Sequence, residues 1–200
     1  PIVLFWSGGI DSTTALVALL KTIPHDGDLT ICCDEKSVAE YPEFFRKHID
    51  GKLTVHTPST KDIPTDRFYI DSIFNFSAFE NASTYLKDSL LVTGELGDQI
   101  FGSLNMVNYE RRMNGDLEGY LSQFPEIRDE IDALNAACPI PVKSITTLLW
   151  WWNFNCRWEE NIWRSLTHVN GTINSKNILH FFNTPDFQRW SIANDDLKVK

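Results

Sequence analysis

Residues 2–12 read IVLFWSGGIDS, a continuous apolar run that ends in a glycine-rich turn. A short apolar run of this kind predicts a strand buried on both faces, as in a parallel sheet. A helical pattern follows from Asp11 to about Ile23 and ends at Pro24. The order strand, glycine turn, helix is typical of anion-binding loops. Glycines let backbone N–H groups approach an anion closely, and the helix start adds the positive end of its dipole.

Further apolar runs and helical patterns alternate along the first half of the chain. The runs that predict buried strands lie at residues 29–33, 52–57 and 89–93. Helical patterns occupy residues 41–49 and about 67–87, and residues 34–36 (Asp-Glu-Lys) predict a polar turn. Strands that alternate with helices predict an α/β fold with a parallel sheet and right-handed crossovers.

The pattern changes after about residue 108. From there on the periodicity is helical, at residues 117–124, 125–137 and 145–166. We therefore predict a single domain over residues 1–200, with an α/β nucleotide-binding core at 1–108 and a mostly helical part at 109–200. Because the chain opens without Met, directly on a strand-like run, we expect it to be a portion of a longer polypeptide.

Charge and cysteine usage narrow the classes of function. The formal net charge is -9 and the basic residues are scattered, which argues against a nucleic-acid partner because nucleic-acid binding needs a positive surface. No apolar run approaches the roughly 20 residues that cross a bilayer, so we expect no membrane partner. The four cysteines, Cys32, Cys33, Cys138 and Cys156, form no C-x-x-C pair. Free thiols predict a cytoplasmic protein.

The first glycine turn offers several kinds of group to a phosphate. Gly8 and Gly9 provide backbone N–H groups. The candidate hydroxyl donors are Ser7, Ser12 and Thr13. Asp11 would repel a phosphate directly, so its expected role is to hold Mg²⁺ that bridges phosphate oxygens. The loop lacks the lysine of a Walker motif. The plain alternative is a helix that starts after a glycine turn and binds nothing.

A second glycine-containing turn, TGELGDQIFG at residues 93–102, follows the fourth predicted strand. The carboxyl ends of parallel strands meet at one edge of a sheet, so this turn is expected to face the first loop across a ligand crevice. Gly94 and Gly97 would line the nucleotide site. Asp98 would supply a second carboxylate for Mg²⁺, opposite Asp11.

Both segments resemble known motifs. The S-G-G-x-D-S loop is similar to the signature of the PP-loop ATP pyrophosphatases. Residues 93–102 resemble the S-G-x-G-x-D-E-x-F-G segment of asparagine synthetases and their relatives. This resemblance implies a three-layer core of the PP-loop, adenine nucleotide α-hydrolase-like type, with ATP and Mg²⁺ as cofactors. It also implies that Glu95 lies near an acyl-adenylate and handles the incoming amine or its proton.

The second motif departs from the family pattern at two positions. Leu96 stands where relatives have glycine, and Gln99 stands where they have glutamate. Residues 180–187 resemble a later family segment only weakly, and a buried aromatic corner is the simpler interpretation. The resemblance also implies a lysine against the α-phosphate, with Lys176, Lys198 and Lys200 as candidates.

The resemblance implies an amide-forming synthetase. It would adenylate a small-molecule acid, with aspartate as the first choice, and ammonia or another amine would then displace AMP. A glutaminase domain or chain is a possible partner. Two alternatives stay open: a PP-loop enzyme that modifies a tRNA or nucleobase, and an ATP-binding protein with a degenerate, inactive site.

Overall fold

The structure is a computed structural model that describes residues 1–23, 28–57, 88–167 and 175–198, with side chains of the long helix 145–167 described as far as residue 156. Contacts divide the chain into two compact units. The first comprises Pro1–Glu95 and Ile162–Phe181, and the second comprises Leu96–Asn161 and Phe182–Lys200. The predicted helix at 67–87 lies outside the described residues.

The first unit contains a five-stranded, all-parallel sheet. Its strands are β1 (Ile2–Phe5), β2 (Leu29–Cys32), β3 (Thr54–His56), β4 (Leu90–Thr93) and β5 (Ile178–His180). They are arranged in the order β3-β2-β1-β4-β5. The predicted α/β class and the four predicted strands are confirmed. The fifth strand comes from the part of the chain whose sequence predicted helix.

The described helices belong partly to the first unit and partly to the second. In chain order they are α1 (Ile10–Thr22), α2 (Glu35–Glu40), α3 (Pro42–Phe44), α4 (Gly97–Phe101), α5 (Leu104–Arg112), α6 (Leu117–Leu121), α7 (Arg128–Ala136), α8 (Ile145–Thr167) and α9 (Pro185–Ala193). A π-helical turn, Phe45–Ile49, continues α3, and short 3-10 turns occur at Pro125–Ile127, Ser175–Asn177 and Asp195–Leu197. Within the described ranges, no helix combines the length and the apolar character needed to cross a membrane.

The core of the first unit forms where α1 and the segment after β2 pack against the sheet. Leu4, Ile31 and Val92 on the central strands are fully buried, together with Leu16 of α1 and Ile49 of the π-helical turn. Alternate residues such as Val3 and Leu91 are buried as well. Burial of both faces is what a continuous apolar run in a parallel sheet predicts.

The predicted polar turn at residues 34–36 is wrong, because α2 begins there. Asp34 is the N-cap of this helix, and its carboxylate accepts hydrogen bonds at 2.7 Å from both the N–H and the hydroxyl of Ser37. Asp34 is buried rather than solvated. A capping aspartate satisfies backbone donors of the first turn and so fixes the start of the helix.

The second unit has an aromatic core. Trp150 and Trp151 are buried, and the indole N–H of Trp150 donates to the carbonyl of Gln99 at 3.0 Å. These tryptophans form part of a buried cluster of the second unit. Phe182 packs edge-on against Phe101 and Phe187, which confirms the predicted aromatic corner.

The candidate lysines have different surroundings. Lys198 is buried, lies 3.4 Å above the Trp150 ring and pairs with Asp195 at 3.2 Å. Lys176 is exposed, and Lys200 lies outside the described residues. The contacts of Lys198 explain it as a packing residue of the second unit.

We expect thiol reagents to distinguish the cysteines of the folded chain. Burial raises the pKa of Cys32 to about 12 and that of Cys33 to about 11, and the carboxylate of Asp34 adds to both shifts. The thiolate fraction of Cys32 at neutral pH is then about a thousandth of that of a thiol at its ordinary value of 9.0. Cys156 is exposed. Cys138 is half-buried, and burial raises its pKa. Titration with a chromogenic disulfide should therefore show Cys156 as the fastest thiol, and this phase should disappear in Cys156→Ser. Fast modification of Cys32 or Cys33 would contradict their burial.

Candidate functional site

The two glycine turns leave the sheet from neighbouring strands. β1 pairs with β2 on one side and with β4 on the other, and Phe5, Cys32 and Thr93 lie level with one another at the carboxyl ends. The chain moves outward from β1 to β2 and β3, then returns to the other side of β1 with β4. The β1–β4 gap is therefore the topological switch point, where open parallel sheets bind their ligands.

Helix α2 packs closely against Gly8 of the first loop. Gly8 has φ of +79°, a conformation that L side chains rarely adopt. A Cβ at this position would also collide with the carbonyl oxygen of Ser37 and lie 2.7 Å from the Cβ of Glu40. Glycine at position 8 is thus required by backbone geometry and by the close approach of α2, in addition to any approach of a ligand.

Serine hydroxyls brace the loop internally. The Ser7 and Ser12 hydroxyl oxygens lie 3.0 Å apart, and the Ser12 oxygen accepts from the N–H of Ser7 at 3.1 Å. The Ser12 hydroxyl also lies 3.2 Å from the carbonyl of Gly9. Gly9 is the N-cap of α1 and, lacking a side chain, leaves the first-turn N–H groups without a side-chain cap. Such groups are what a helix start offers to an anion.

Gly94, which follows β4, packs directly against the backbone at the start of α1. A Cβ added to Gly94 would lie 2.5 Å from the backbone nitrogen of Ser12, 2.6 Å from its Cα and 2.9 Å from the carbonyl carbon of Asp11. All three are backbone atoms, so no side chain can move aside. Glycine at position 94 is what brings the second turn against the first.

A cavity of about 340 Å³ opens where these segments meet. This volume lies within the range of small-molecule sites. Six of the predicted site residues line it: Ser7, Gly9, Asp11, Ser12, Gly94 and Glu95. Phe5, Ile10 and Thr93 complete the lining. The two motifs, separated by about eighty residues in the sequence, therefore share one cavity of the first unit.

The remaining predicted residues, Gly8, Thr13, Gly97 and Asp98, are not among the described residues that line this cavity. The Thr13 oxygen accepts a hydrogen bond from the buried indole of Trp6 at 3.0 Å. Gly97 and Asp98 belong to α4 in the second unit, where Asp98 is exposed and lines a different cavity. Donation by Thr13 to a phosphate and the pairing of Asp98 with Asp11 on one Mg²⁺ stay predictions.

Leu96 keeps the backbone conformation of a glycine. Its φ is +76° and its ψ is 4°, in the left-handed region, yet its side chain is only 3% exposed. The other departure, Gln99, is also buried, and its side-chain N–H donates to the Asn153 side-chain oxygen at 3.2 Å. Leu96 therefore retains the turn that glycine would make, and Gln99 serves the core of the second unit.

The stability of two variants at position 96 tests this conformation. Leu96→Ala and Leu96→Gly both remove a buried side chain, which costs about 2–5 kcal/mol. Only glycine relieves the left-handed strain, so Leu96→Gly should be the more stable by about 1 kcal/mol. Urea unfolding of the two variants measures the difference. In an ordinary helix or strand, alanine is more stabilising than glycine. If Leu96→Ala is more stable than Leu96→Gly, the left-handed conformation of Leu96 is contradicted.

A histidine that the sequence analysis did not assign lies beside Glu95. His180 ends β5, and its Nδ1 lies 2.8 Å from the Thr93 hydroxyl oxygen and 3.9 Å from the Glu95 carboxylate. The N–H of Glu95 donates to the Thr93 oxygen at 3.4 Å, an arrangement in which the Thr93 hydroxyl can donate to Nδ1. Burial lowers the pKa of His180 below its ordinary 6.5, so the imidazole is neutral at neutral pH. At 3.9 Å the pair with Glu95 is a near contact and not a hydrogen bond.

We expect His180 to make stability depend on pH. Because the pKa of His180 is lowered in the folded chain, the unfolded chain takes up the proton at a higher pH than the folded chain does. As the pH is lowered from about 6.5 toward the folded-state pKa, the free energy of unfolding therefore decreases. His180→Gln cannot take up this proton. Between pH about 7 and about 5.5 the free energy of unfolding should fall more in the wild type than in the variant. Equal pH slopes would contradict a buried neutral imidazole.

No ready-made metal site exists in the part of the chain that the structure describes, where no three His, Cys, Asp or Glu side chains come together. This arrangement is compatible with Mg²⁺ that arrives with a nucleotide, because such ions are held by one or two carboxylates plus phosphate oxygens. No protein-family model, curated protein or solved structure matches the chain. The motif residues and the cavity that they form are therefore the observations that indicate a function.

Proposed function

We propose that the chain binds MgATP in the 340 Å³ cavity and cleaves it between the α- and β-phosphates. The observation that carries this proposal is the contact of Gly94 with the backbone of Asp11 and Ser12. That contact places the carboxylates of Asp11 and Glu95 in one cavity with the first turn of α1, at the switch point of a parallel sheet.

The residues of the cavity have different roles in the proposed reaction. The N–H groups that begin α1 hold phosphate oxygens and stabilise the departing pyrophosphate electrostatically. Asp11, which would repel a bare phosphate, fits the role of a Mg²⁺ ligand. Mg²⁺ neutralises the phosphate charges when bound. This division agrees with the resemblance to the PP-loop ATP pyrophosphatases.

Glu95, two residues after the end of β4, lines the same cavity. In the proposed reaction a substrate carboxylate attacks the α-phosphorus, pyrophosphate leaves, and an amine displaces AMP to form an amide. The amine must lose a proton in that last step, and Glu95 is the carboxylate of the cavity that is placed to take it. The backbone of Glu95 is fixed through Thr93, which also contacts His180. The acceptor proposed first is aspartate, with ammonia as the amine.

Pyrophosphate release tests this function. ATP and Mg²⁺ are supplied with a panel of amino acids, with and without ammonia, and Asp11→Ala and Asp98→Ala serve as variants. Release that depends on one acid and is lost in Asp11→Ala supports an adenylating synthetase, and loss in Asp98→Ala as well would support the predicted second Mg²⁺ ligand. ATP binding with no release for any acid, in a chain that remains folded, would instead support the degenerate site.

The degenerate alternative is motivated by Leu96 and Gln99, the two departures from the family pattern. Leu96 retains the positive φ of the turn, and Gln99 is buried against Asn153. Neither substitution reaches the lining of the proposed ATP cavity. The geometry therefore favours the synthetase over the degenerate site, and a nucleobase-modifying enzyme has no observation in its favour.

A further inference from the structure

A second and larger cavity, of about 530 Å³, lies within the second unit. Helices α4, α5, α7 and α8 and the 3-10 turn Pro125–Ile127 form its walls. Its volume is in the middle of the range for sites that bind small molecules. Every lining residue belongs to this unit, so the cavity is a property of that unit by itself.

The walls of this cavity are mainly apolar. Its apolar lining residues include Met106, Ile131, Leu134, Leu149 and Trp152. The ring of Trp152 is held in place by its indole N–H, which donates to the Asn135 side-chain oxygen at 3.1 Å. A rigid apolar wall favours a ligand with an aromatic or branched aliphatic body, because burial of that body removes apolar surface from water.

Among the described residues that line the cavity, the charged side chains are those of Asp98 and Glu130, and both are acidic and exposed to solvent. The ring of Tyr109, a further wall residue, already has the Arg112 guanidinium 5.7 Å from its centre, so a ligand's cationic group is expected at the carboxylates and not at this ring. Carboxylates and aromatic faces both attract organic cations.

We propose that this cavity binds a small primary amine with an aromatic or branched aliphatic body. The apolar body contacts Ile131, Leu149 and Trp152, and the ammonium group lies toward Glu130. Anionic ligands of the same shape are repelled by the carboxylates. The proposal concerns binding only and is independent of ATP cleavage.

Cys156 provides a direct readout of occupancy. Its thiol lines the cavity and is exposed, whereas Cys138 is half-buried and Cys32 and Cys33 are buried, so alkylation is followed at Cys156 itself by mass spectrometry of its peptide. A ligand in the cavity should therefore slow the alkylation of Cys156. The experiment uses the full chain without nucleotide and compares 2-phenylethylamine with two probes of similar shape, the neutral 2-phenylethanol and the anionic 3-phenylpropionate.

The amine should protect Cys156 at concentrations about tenfold lower than the alcohol, and the acid should not protect it. Glu130→Gln should raise the half-protecting amine concentration about threefold, since an exposed charge contributes modestly. Glu126→Gln, an exposed carboxylate outside the lining, is the matched control and should change nothing. Equal protection by amine and alcohol, or protection by neither, would overturn the proposal. Because no ATP is present, its failure would leave the proposed function untouched.

Discussion

Replacing Gly94 with alanine is expected to lower the free energy of unfolding by about 3 kcal/mol, near the upper end for an added methyl group in a packed core. The methyl group would lie 2.5–2.9 Å from three backbone atoms at the start of α1. Relief requires that β4 and α1 move apart, which disrupts sheet packing as well as the cavity. The midpoint of thermal unfolding should fall by about 6–12 °C.

Gly9→Ala is the matched control for this variant. Gly9 has φ of −71°, and a Cβ there would meet only the Ser7 hydroxyl, at 3.3 Å. Its free energy of unfolding should change by less than about 1 kcal/mol. Both variants are measured by urea unfolding. A Gly94→Ala chain as stable as Gly9→Ala would show that the two turns do not touch as the structure has them.

Replacing Asp11 with asparagine is expected to reduce pyrophosphate release about 10²–10³-fold, the size of effect seen when a preorganised electrostatic group is removed from an active site. The variant keeps the shape of the side chain and removes its charge, so Mg²⁺ loses a ligand. Folding should change little, because an acidic residue in the first turn of a helix contributes only about 0.3–1 kcal/mol through the helix dipole.

The control for Asp11→Asn is Glu35→Gln. Glu35 is likewise an acidic residue in the first turn of a helix, but it is exposed on α2 and lies outside the cavity. It should lose a similar helix-dipole contribution and keep full activity. An equal loss of pyrophosphate release in both variants would attribute the effect to general charge, and an unchanged rate in Asp11→Asn would remove Asp11 from the proposed mechanism.

The central strands could be predicted because their signal is local. β1 and β4 are continuous apolar runs that end at glycine-containing turns, and their burial on both faces requires only that composition. β5 gave no such signal, since Ile178–His180 is three residues long and its place in the sheet comes from pairing with β4, far away in the sequence. The start of α2 was missed because Asp34 resembles a solvated turn residue and is instead a buried cap.

In the candidate site too, residues with a local sequence signal could be predicted, and residues whose contacts depend on long-range pairing could not. The two motifs predicted six of the nine described residues that line the cavity, because glycine turns after neighbouring parallel strands meet at one sheet edge. His180 could not be predicted, because its contact with Thr93 spans 87 residues and depends on the pairing of β5. Likewise, the hydrogen bond from the Trp6 indole to Thr13 depends on packing and not on a motif.

The identity of the nucleotide product shows which phosphate bond of ATP is broken. ATP labelled at the α-phosphate is incubated with the chain, Mg²⁺ and the amino-acid panel, and the labelled products are separated. Cleavage between the α- and β-phosphates predicts labelled AMP, or an adenylate that yields AMP, together with an equal amount of pyrophosphate. Labelled ADP with inorganic phosphate would contradict the account, since it would show that the cavity cleaves a different bond.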